Sequence, residues 1–506
     1  MSRHSLRSAS LLVVTAALAG KVIGFVREVA VAHAFGTGIE YDAFLAGITV
    51  PAAICTILDY GVPNLLVPLY AAKRALPASF RLRALITAVA LIVALVVFAP
   101  AVVSLVTPGL SAATSAWAAR VLRAYSGMVL LGLLSSVGMA RLQGRRLFTR
   151  PALGPIVLNL IVLAGVLVLS GRLGTFSLVW GMSAGTVLLA IWYWWPAKEQ
   201  HDQAEPARES SSLAPPLGMA AIGVLAAVVI GQLFFMVDRW WGSYLEPGSI
   251  SALLYAITIT NIPVAVIGTG LAVAIFPFLH ASLAAPDPTE GRRILERAVR
   301  YIIWIGVPLA VMFGLFGEPL IGLLLERGRF DARSTELTAG LLPLLALGMV
   351  FYAATAIWEK VYYARRRVWR LVVVMGVVFT GKVLLSWLFV SSLGIRGLAL
   401  ATGLSYIGCS ILLYLGIDRA YRPPWQPTLT YLVKVLLLAF GSGVIGYMLC
   451  RVLIPTPGPS VTAVRMIQLL LGGIFIWVPL LMIDGHWGIS ERRRIIDALC
   501  SAIGRK

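Results

Sequence analysis

The sequence GKVIGFVREVAVAHAFGTGIEYDAF, residues 20–44, contains two cations, Lys21 and Arg27, inside the first long apolar segment of the chain. A charge near the centre of a bilayer costs about 2.5–3.5 kcal/mol even on the scale from insertion experiments, so such charges usually face protein or water. Asp42 follows shortly after the same segment. The two cations therefore predict a hydrated, positive interior that can receive an anionic ligand.

The composition is typical of membrane proteins that cross the bilayer many times. The chain has 506 residues, of which 59% are hydrophobic and only 13% are charged. A helix needs about 20 apolar residues to cross a bilayer, whereas the strands of transmembrane barrels alternate over about ten residues. We therefore predict an all-α polytopic membrane protein. It should have about fourteen transmembrane helices, near 9–34, 42–70, 83–106, 114–140, 152–170, 174–195, 215–244, 250–280, 298–316, 337–363, 368–391, 396–417, 428–452 and 463–483.

The net charge of +20 would ordinarily suggest nucleic-acid binding, but the position of the basic residues favours a membrane explanation. Lys and Arg cluster in alternate loops between spans, as the excess of positive charge on the cytoplasmic side predicts. Both termini are then cytoplasmic, and the basic clusters can contact anionic membrane lipids. We expect no nucleic-acid partner. The clusters lie at 73–83, 141–150, 292–300, 365–370 and 492–494.

Cysteine and histidine do not indicate a metal site or a catalytic site. The four Cys and five His are scattered, without the spacing of a metal, redox or nucleophilic motif. A membrane-embedded glycan polymerase or ligase would need a large external loop with catalytic side chains, and the longest predicted external loop, 317–336, is short. We therefore expect neither enzymatic activity nor a cofactor.

A polar segment, PAKEQHDQAEPARESSSLA at 196–214, separates six predicted spans from eight. Its composition is typical of a flexible cytoplasmic linker. On the two sides of this linker, three identities recur at one constant separation along the chain, which indicates a parallel repeat with a substrate site between its halves. The pairs are Arg27 with Arg239, Gly36 with Gly248, and Pro51 with Pro263.

The repeat predicts two six-helix lobes followed by two C-terminal helices. Prolines inside the second and eighth spans predict kinked helices, which are compatible with a hinge or a cavity. The predicted boundaries are 1–195 for the first lobe, 196–214 for the linker, 215–418 for the second lobe, 419–485 for helices 13 and 14, and 486–506 for a cytoplasmic amphipathic tail.

Residues 21–70 resemble a known family. The cation-x-x-G-F-x-R element that begins at Lys21, the FG-x-G turn, the D-A-F run at Asp42 and the V-P-L-Y run that ends at Tyr70 resemble the MurJ/MviN family of lipid II flippases. That family belongs to a superfamily of multidrug and polysaccharide exporters. The resemblance implies two lobes around a V-shaped cavity in the bacterial cytoplasmic membrane. It further implies alternating access, which moves a lipid-linked sugar headgroup outward.

The resemblance can be carried over to individual positions. Lys21 stands where the family has a cavity arginine, which keeps the charge but loses the planar group that binds phosphate through two hydrogen bonds. Arg27 matches a second cavity arginine, and Asp42 matches an acidic residue at the external end that pairs with a cation in one conformational state. Arg239, the repeat partner of Arg27, is the fourth predicted substrate-binding residue.

Departures from the family pattern leave the cargo open. Cys55 and Thr56 stand where the family usually has an arginine in the second span, and Thr258 stands where it has another in the eighth. The resemblance implies an undecaprenyl-pyrophosphate-linked sugar, similar to lipid II, as cargo. An exopolysaccharide or O-antigen repeat unit on a lipid carrier is the alternative. A multidrug antiporter, which should favour an acidic cavity, is the third candidate.

A second predicted site involves Asp238 in the seventh span. Some family members use an acidic residue there to hold sodium, and the partner positions here are Lys382 and Ser386 in the eleventh span and Thr402 in the twelfth. The Lys382 ammonium can replace the cation, or Asp238 can form a structural ion pair with Lys382 or Arg239. Coupling of transport to the membrane potential or to a monovalent cation therefore stays open.

Other charged residues near the spans have simpler expected roles. Asp59, flanked by apolar residues in the second span, is the expected counter-ion of Lys21. Arg120 and Arg123 share one helix face near the external end of the fourth span, where they can contact lipid headgroups or line a lateral gate. The protein is expected to act as a monomeric transporter of a lipid-linked oligosaccharide.

Overall fold

The computed structural model describes residues 3–72, 76–196, 217–284, 287–453 and 461–483, and over these ranges the chain is helical without any β-strand. The chain divides into two compact units, Met1–Gly248 and Ser249–Lys506. Because the described regular structure is all helix, the predicted all-α fold is confirmed.

The first unit contains nine described helices. Long helices dominate, since most of the sequence consists of apolar runs that exceed the length needed to cross a bilayer. The helices are α1 (Arg3–Phe35), α2 (Ile39–Ala71), α3 (Ala78–Val97), α4 (Ala99–Val106), α5 (Ala112–Tyr125), α6 (Met128–Gly144), α7 (Thr149–Leu173), α8 (Phe176–Trp194) and α9 (Leu217–Gly242).

The second unit contains ten described α-helices and one π-helical turn. The π-helical turn, Ala265–Thr269, joins the first two of these helices inside one long apolar segment. The helices are α10 (Ser249–Val264), α11 (Gly270–Ala284), α12 (Thr289–Leu315), α13 (Gly317–Leu325), α14 (Ala332–Ala339), α15 (Leu342–Ala364), α16 (Val368–Leu393), α17 (Ile395–Gly416), α18 (Trp425–Leu453) and α19 (Val461–Ile483).

Thirteen helical segments within the described residues are long and apolar enough to cross a membrane. They correspond to the second through fourteenth predicted spans. The first predicted span lies within α1, which is not among the thirteen but, at 33 residues, exceeds the roughly 20 that a crossing requires. The chain is therefore a multi-pass membrane protein.

The prolines of the second and eighth spans all lie within helices. Pro51, Pro63 and Pro68 all lie inside the 33-residue α2. Pro263 lies at the end of α10, directly before the π-helical turn, and Pro277 lies inside α11. Proline removes an intrahelical hydrogen bond, and π-helical turns often mark functional sites in helices, so the backbone hydrogen bonding of the second and eighth spans is interrupted.

The two units share turn geometry that supports the predicted parallel repeat. Arg146, between α6 and α7, and Arg366, between α15 and α16, both adopt a left-handed conformation, with φ of 61° and 53°. In each turn the residue after the arginine donates its N–H to the carbonyl four residues before the arginine, at 2.9 Å. Gly174 and Gly394, which are as far apart along the chain as the two arginines, end α7 and α16 with φ of 54° and 56°.

The compact units do not coincide with the predicted lobes. The sequence assigns α9 to the second lobe, which was predicted to begin at residue 215, whereas the first compact unit extends to Gly248 and includes α9. Within that unit α9 packs on α2, where Gly61 faces Leu225. Linker residues 197–214 and tail residues 486–506 lie outside the described part of the chain, so the predicted domain boundaries stay a prediction.

Candidate functional site

Lys21 is an exposed cation on α1. Its position, well inside the helix, is the one that the sequence singles out for ligand binding. Within the described ranges its ammonium forms no ion pair and no hydrogen bond. Lys21 can therefore contact an anion without first breaking a bond to another protein group.

Arg27, by contrast, is held by protein groups. Its guanidinium forms an ion pair with the neighbouring Glu28 and donates a hydrogen bond of 2.9 Å to the side-chain oxygen of Asn159 on α7. The amide nitrogen of Asn159 donates in turn to the carbonyl of Gly20 at 3.3 Å. Gly24 lies against Asn159 in the same seam between α1 and α7. The sequence interpretation missed Glu28 and Asn159. Glu28 is adjacent to Arg27 in the sequence, so an ion pair between them could have been predicted.

Asp42 is buried at the start of α2, with a side-chain exposure of 4%. Its carboxylate accepts a hydrogen bond of 2.6 Å from the backbone N–H of Gly248, in the turn that follows α9. Gly248 has φ of 93°, a conformation that L side chains rarely adopt. In this structure Asp42 therefore fixes a turn that requires glycine, and its predicted pairing with a cation stays a prediction.

Arg239 lies in the last turn of α9, within electrostatic range of Tyr41 and Asp42 of the same unit. Its Nη1 atom is buried and has no hydrogen-bond partner in the described part of the chain. The next residue, Trp240, packs edge-on against the Tyr244 ring, with ring centroids 5.2 Å apart. Arg239 therefore combines a buried guanidinium with an aromatic cluster of the kind found at membrane interfaces.

Lys382, Ser386 and Thr402 lie together in the second unit. Lys382 is fully buried and donates to the hydroxyl of Thr402, which itself donates to the carbonyl of Leu398 at 2.9 Å. The hydroxyl of Ser386 is buried without a hydrogen-bond partner in the ranges described. Asp238 belongs to the other compact unit, so the roles predicted for these four residues stay predictions.

The second span contains packing contacts at the positions where the family usually has a cation. Cys55 donates from its thiol to the carbonyl of Met128 at 3.4 Å, and Thr56 donates to the carbonyl of Ala52 in its own helix at 2.9 Å. Cys55 thus contributes to the contact between α2 and α6, whereas the hydroxyl of Thr56 is satisfied within α2.

The predicted ion pair between Asp59 and Lys21 is not formed. Asp59 instead accepts a hydrogen bond of 2.6 Å from the hydroxyl of Ser136 on α6. The helix pair α2–α6 therefore satisfies this intramembrane carboxylate with a hydroxyl, and Lys21 keeps its free ammonium.

The basic residues near the helix ends contact aromatic rings and carbonyls. Arg120 lies over the ring of Trp117 at 4.5 Å, and Arg123 donates to the carbonyl of Val96 at 3.2 Å. Lys360 lies over the rings of Phe276 and Tyr363, at 5.7 and 5.6 Å. Such contacts satisfy exposed cations without forming a ligand site.

Asp418, just after α17, is the centre of an arginine cluster. It accepts hydrogen bonds from Arg367 at 2.5 Å and Arg365 at 3.2 Å, and Arg370 lies 4.0 Å away. Burial raises the pKa of this carboxyl, but the hydrogen bond from Arg367 and the surrounding positive charges lower it more, so the pKa lies below the usual aspartate value. The cluster holds the end of α17 against the turn before α16.

The loop between α13 and α14 is held by two carboxylates. Glu326 forms an ion pair with Arg465 of α19 at 2.7 Å and accepts a hydrogen bond from Thr335 at 2.8 Å. Asp331 caps α14 by accepting the N–H of Ser334, and this hydrogen bond lowers the pKa of the Asp331 carboxyl. These acidic residues therefore stabilise the loop itself.

No group of three or more His, Cys, Asp or Glu side chains that could hold a metal ion occurs in the part of the chain that the structure describes. The charged groups at hand are a free lysine, braced arginines and hydrogen-bonded carboxylates. This arrangement can attract and orient an anion.

The chain has apolar spans that carry charges, and it divides into two compact units with turns repeated at a fixed separation. These features define a multi-pass membrane protein of transporter architecture. The family model described as "Lipid II flippase MurJ" matches residues 31–456. That match spans most of the chain, so the protein belongs to the lipid II flippase MurJ family.

Individual relatives agree with this assignment. A protein from Burkholderia cenocepacia named "Lipid II flippase MurJ" is 24% identical over 442 residues, covering 81% of this chain and 83% of the relative. The solved structure of a lipid II flippase MurJ in an inward closed conformation matches with a TM-score of 0.76 and 20% identity, over 94% of this chain and 99% of that one. An inward-facing MATE-family multidrug transporter matches with a TM-score of 0.64 and 14% identity, over 83% and 99%.

Proposed function

We propose that this protein is a lipid flippase, which moves an undecaprenyl-pyrophosphate-linked sugar of the lipid II type across the bacterial cytoplasmic membrane. The observation that carries the proposal is the family match over residues 31–456. The sequence relative named above is described as a lipid II flippase, and the helical fold agrees with the solved structure of such a protein. Transport needs no covalent step, and the proposed mechanism uses no enzymatic chemistry.

Lys21 is the proposed first contact for the pyrophosphate. It is exposed on α1 and has no internal partner in the described residues, so binding an anion breaks no existing ion pair. A lysine ammonium is a mobile point charge, which suits a headgroup that must be gripped and then released. The polyprenyl tail would stay in the surrounding lipid throughout.

Arg27 is proposed to act as a second, braced cation. Glu28 and Asn159 hold its guanidinium in one orientation, which lowers the conformational entropy lost when it contacts a phosphate. Glu28 also neutralises part of the charge of Arg27, so Arg27 should attract the phosphate less strongly than Lys21 does. Its fixed orientation should instead favour a phosphate in one position. Arg239 is the corresponding cation that the repeat supplies on α9.

Alternating access is the proposed mode of movement. The bound anion must stabilise the two conformations differently, because a ligand with equal affinity for both shifts neither. The irregular second and eighth spans supply the flexible elements, with three prolines in α2 and a π-helical turn after α10. Asp42, which here holds the N–H of Gly248, would exchange this hydrogen bond for a cation in the other state.

The energy source, partners and orientation follow as further proposals. Coupling to the membrane potential or to a monovalent cation agrees with charges that move inside spans, since one charge crossing 100 mV gains about 2.3 kcal/mol. We expect a monomeric transporter with cytoplasmic N- and C-termini. Its basic clusters would contact anionic lipids on the cytoplasmic side.

A related exopolysaccharide or O-antigen repeat unit is the second candidate cargo. The observation that favours it is the packing of Cys55 and Thr56, which fill with small side chains a position where the family usually has an arginine. Fewer cations in the second span would weaken the grip on a multiply charged headgroup.

Complementation of a bacterial strain depleted of its own lipid II flippase tests the proposal. Rescue of growth, together with flipping of fluorescent lipid II in proteoliposomes, is the expected result. Failure of both, with rescue of a mutant that lacks a polysaccharide repeat-unit exporter, would favour the second candidate. Export of cationic drugs without either rescue would identify a multidrug antiporter instead.

A further inference from the structure

An open apolar groove runs along the surface between α7 and α8. Its volume is about 540 Å³, within the range of ligand-binding pockets, and every side chain that lines it is apolar. Val168 and Trp180 form its walls and are 74% and 60% exposed. Both helices are long and apolar enough to be membrane spans, and an exposed apolar groove on such spans is more stable against lipid than against water.

The groove exists because two helix backbones approach closely at glycine. A Cβ atom added to Gly165 would lie 3.1 Å from the Cα of Gly181, and one added to Gly181 would lie 3.2 Å from the Cα of Val162. Glycine and alanine therefore form the floor, and larger side chains on either side form the walls. The shape of this floor is set by the packing of the two helix backbones and does not depend on side-chain rotamers.

A free arginine continues the groove at one end. Arg172 follows Val168 by four residues, Gly165 by seven and Ile161 by eleven, so these four positions share one face of α7. Arg172 is exposed in the last turn, and its guanidinium forms no ion pair or hydrogen bond within the described residues. Arg172 therefore lies at the end of the span, where basic side chains reach the headgroup region.

The length of the groove selects its occupant. Eleven residues of helix from Ile161 to Arg172 rise roughly 16 Å, at 1.5 Å per residue. Half of a hydrocarbon core of about 30 Å is about 15 Å, the depth of one leaflet. A phospholipid acyl chain of one leaflet therefore spans the groove with its phosphate at Arg172, whereas a long polyprenyl chain would extend well past the floor.

We infer that the α7–α8 groove binds one anionic glycerophospholipid, with an acyl chain along Gly165 and Gly181 and the phosphate at Arg172. On the topology that the sequence indicates, α7 ends at the outer surface, so the lipid belongs to the outer leaflet. The site is separate from the proposed transport function and would steady α7, whose residue Asn159 braces Arg27.

Native mass spectrometry of the full-length protein with added phosphatidylglycerol or phosphatidylcholine of identical chains tests the site. Wild type should retain phosphatidylglycerol preferentially. Arg172→Gln should lower this retention about fivefold, the loss expected for one basic residue near an anionic membrane surface. Ala184→Phe, which places a ring in the open groove, should lower the retention of both lipids.

Two matched variants separate the site from general lipid adhesion. Arg451→Gln removes an exposed arginine from the last turn of α18, and Ala90→Phe adds a ring at an exposed position of α3; neither residue lines the groove. Neither should change retention. Equal losses in Arg172→Gln and Arg451→Gln, or unchanged retention of phosphatidylglycerol in Arg172→Gln, would overturn the inference.

Discussion

The two compact units treat the same residue type in opposite ways. The first unit exposes Lys21 on α1 without a partner in the described residues, and the second unit buries Lys382 completely on α16 and bonds it to Thr402. Both lysines interrupt an apolar run and give the same sequence signal. Lys21 is therefore accessible to an external anion, whereas Lys382 is bonded inside the protein.

Substitution of Lys382 should produce the largest effect on folding. Lys382→Ala removes a long, fully buried side chain and leaves a cavity beside Thr402, so the free energy of unfolding should fall by about 2–5 kcal/mol. Denaturant titration of the purified protein in detergent measures this loss. Lys382→Met, which refills most of the volume, should lose clearly less. A Lys382→Ala variant as stable as wild type would remove the distinction between the two lysines.

Substitution of Lys21 should lower transport and leave the free energy of unfolding almost unchanged. A hydrogen bond to a charged group contributes about 1.5–3 kcal/mol, so Lys21→Gln should lower flipping in proteoliposomes by roughly 10- to 100-fold. The free energy of unfolding should change by less than about 0.5 kcal/mol, because the side chain is exposed.

Two controls accompany the Lys21 measurement. Lys21→Arg keeps the charge and restores the planar group of the family arginine, so it should retain transport. Lys434→Gln removes another lysine from a membrane span and should leave flipping near the wild-type rate. Wild-type transport by Lys21→Gln would exclude Lys21 from substrate binding.

The sequence predicted the helices well and the environments of charges poorly. Apolar runs predict spans because the bilayer fixes their length, and thirteen of the predicted spans recur as long apolar helices. Whether a charge is free depends on neighbours distant in sequence, such as Asn159 for Arg27 or Ser136 for Asp59, which are 132 and 77 residues away. Periodicity along one chain contains no information about these partners.

The repeat was also only partly visible in the sequence. The three identities at a constant separation include Gly36 and Gly248, which both have positive φ. The turns at Arg146 and Arg366 share their backbone conformation at a slightly larger separation, and an arginine precedes both, but the residues that follow them, Leu147 and Arg367, differ. Backbone geometry can therefore persist where side chains diverge, which is why the structure strengthens a repeat that three identities only suggested.

Replacing these turn arginines with glycine tests whether the units share a framework. A left-handed conformation costs a non-glycine residue about 1–2 kcal/mol, and substitution by glycine relieves this cost. Glycine also raises the conformational entropy of the unfolded chain, which cancels part of the stabilisation. Arg146→Gly and Arg366→Gly should therefore each raise the free energy of unfolding by about 0.5–1 kcal/mol. Arg145→Gly, one position earlier in the first turn, should not stabilise the protein. Opposite effects in the two turns would contradict a shared framework.

The smallest expected difference between the units is their response to acid. The pKa of Asp418 is lowered on folding, so its contribution to stability is complete above the unfolded-state value near 3.9 and is lost as the pH falls through the folded value. Asp418→Asn should therefore cost less than about 1 kcal/mol at pH 7, and this difference from wild type should shrink as the pH falls below the unfolded-state pKa.

Arg150 supplies the matched control in the first unit, since it precedes Arg370 by the same separation that relates the two turn arginines. Its guanidinium donates to the carbonyl of Trp195 at 2.8 Å and to that of Pro196 at 3.3 Å, and carbonyls do not titrate. Arg150→Gln should thus lower stability by the same amount at pH 7 and at pH 3, whereas the effect of Asp418→Asn depends on pH. If both variants showed the same pH dependence, the arginine cluster at Asp418 would not be the acid-sensitive element, and the two units would end their helices by equivalent means.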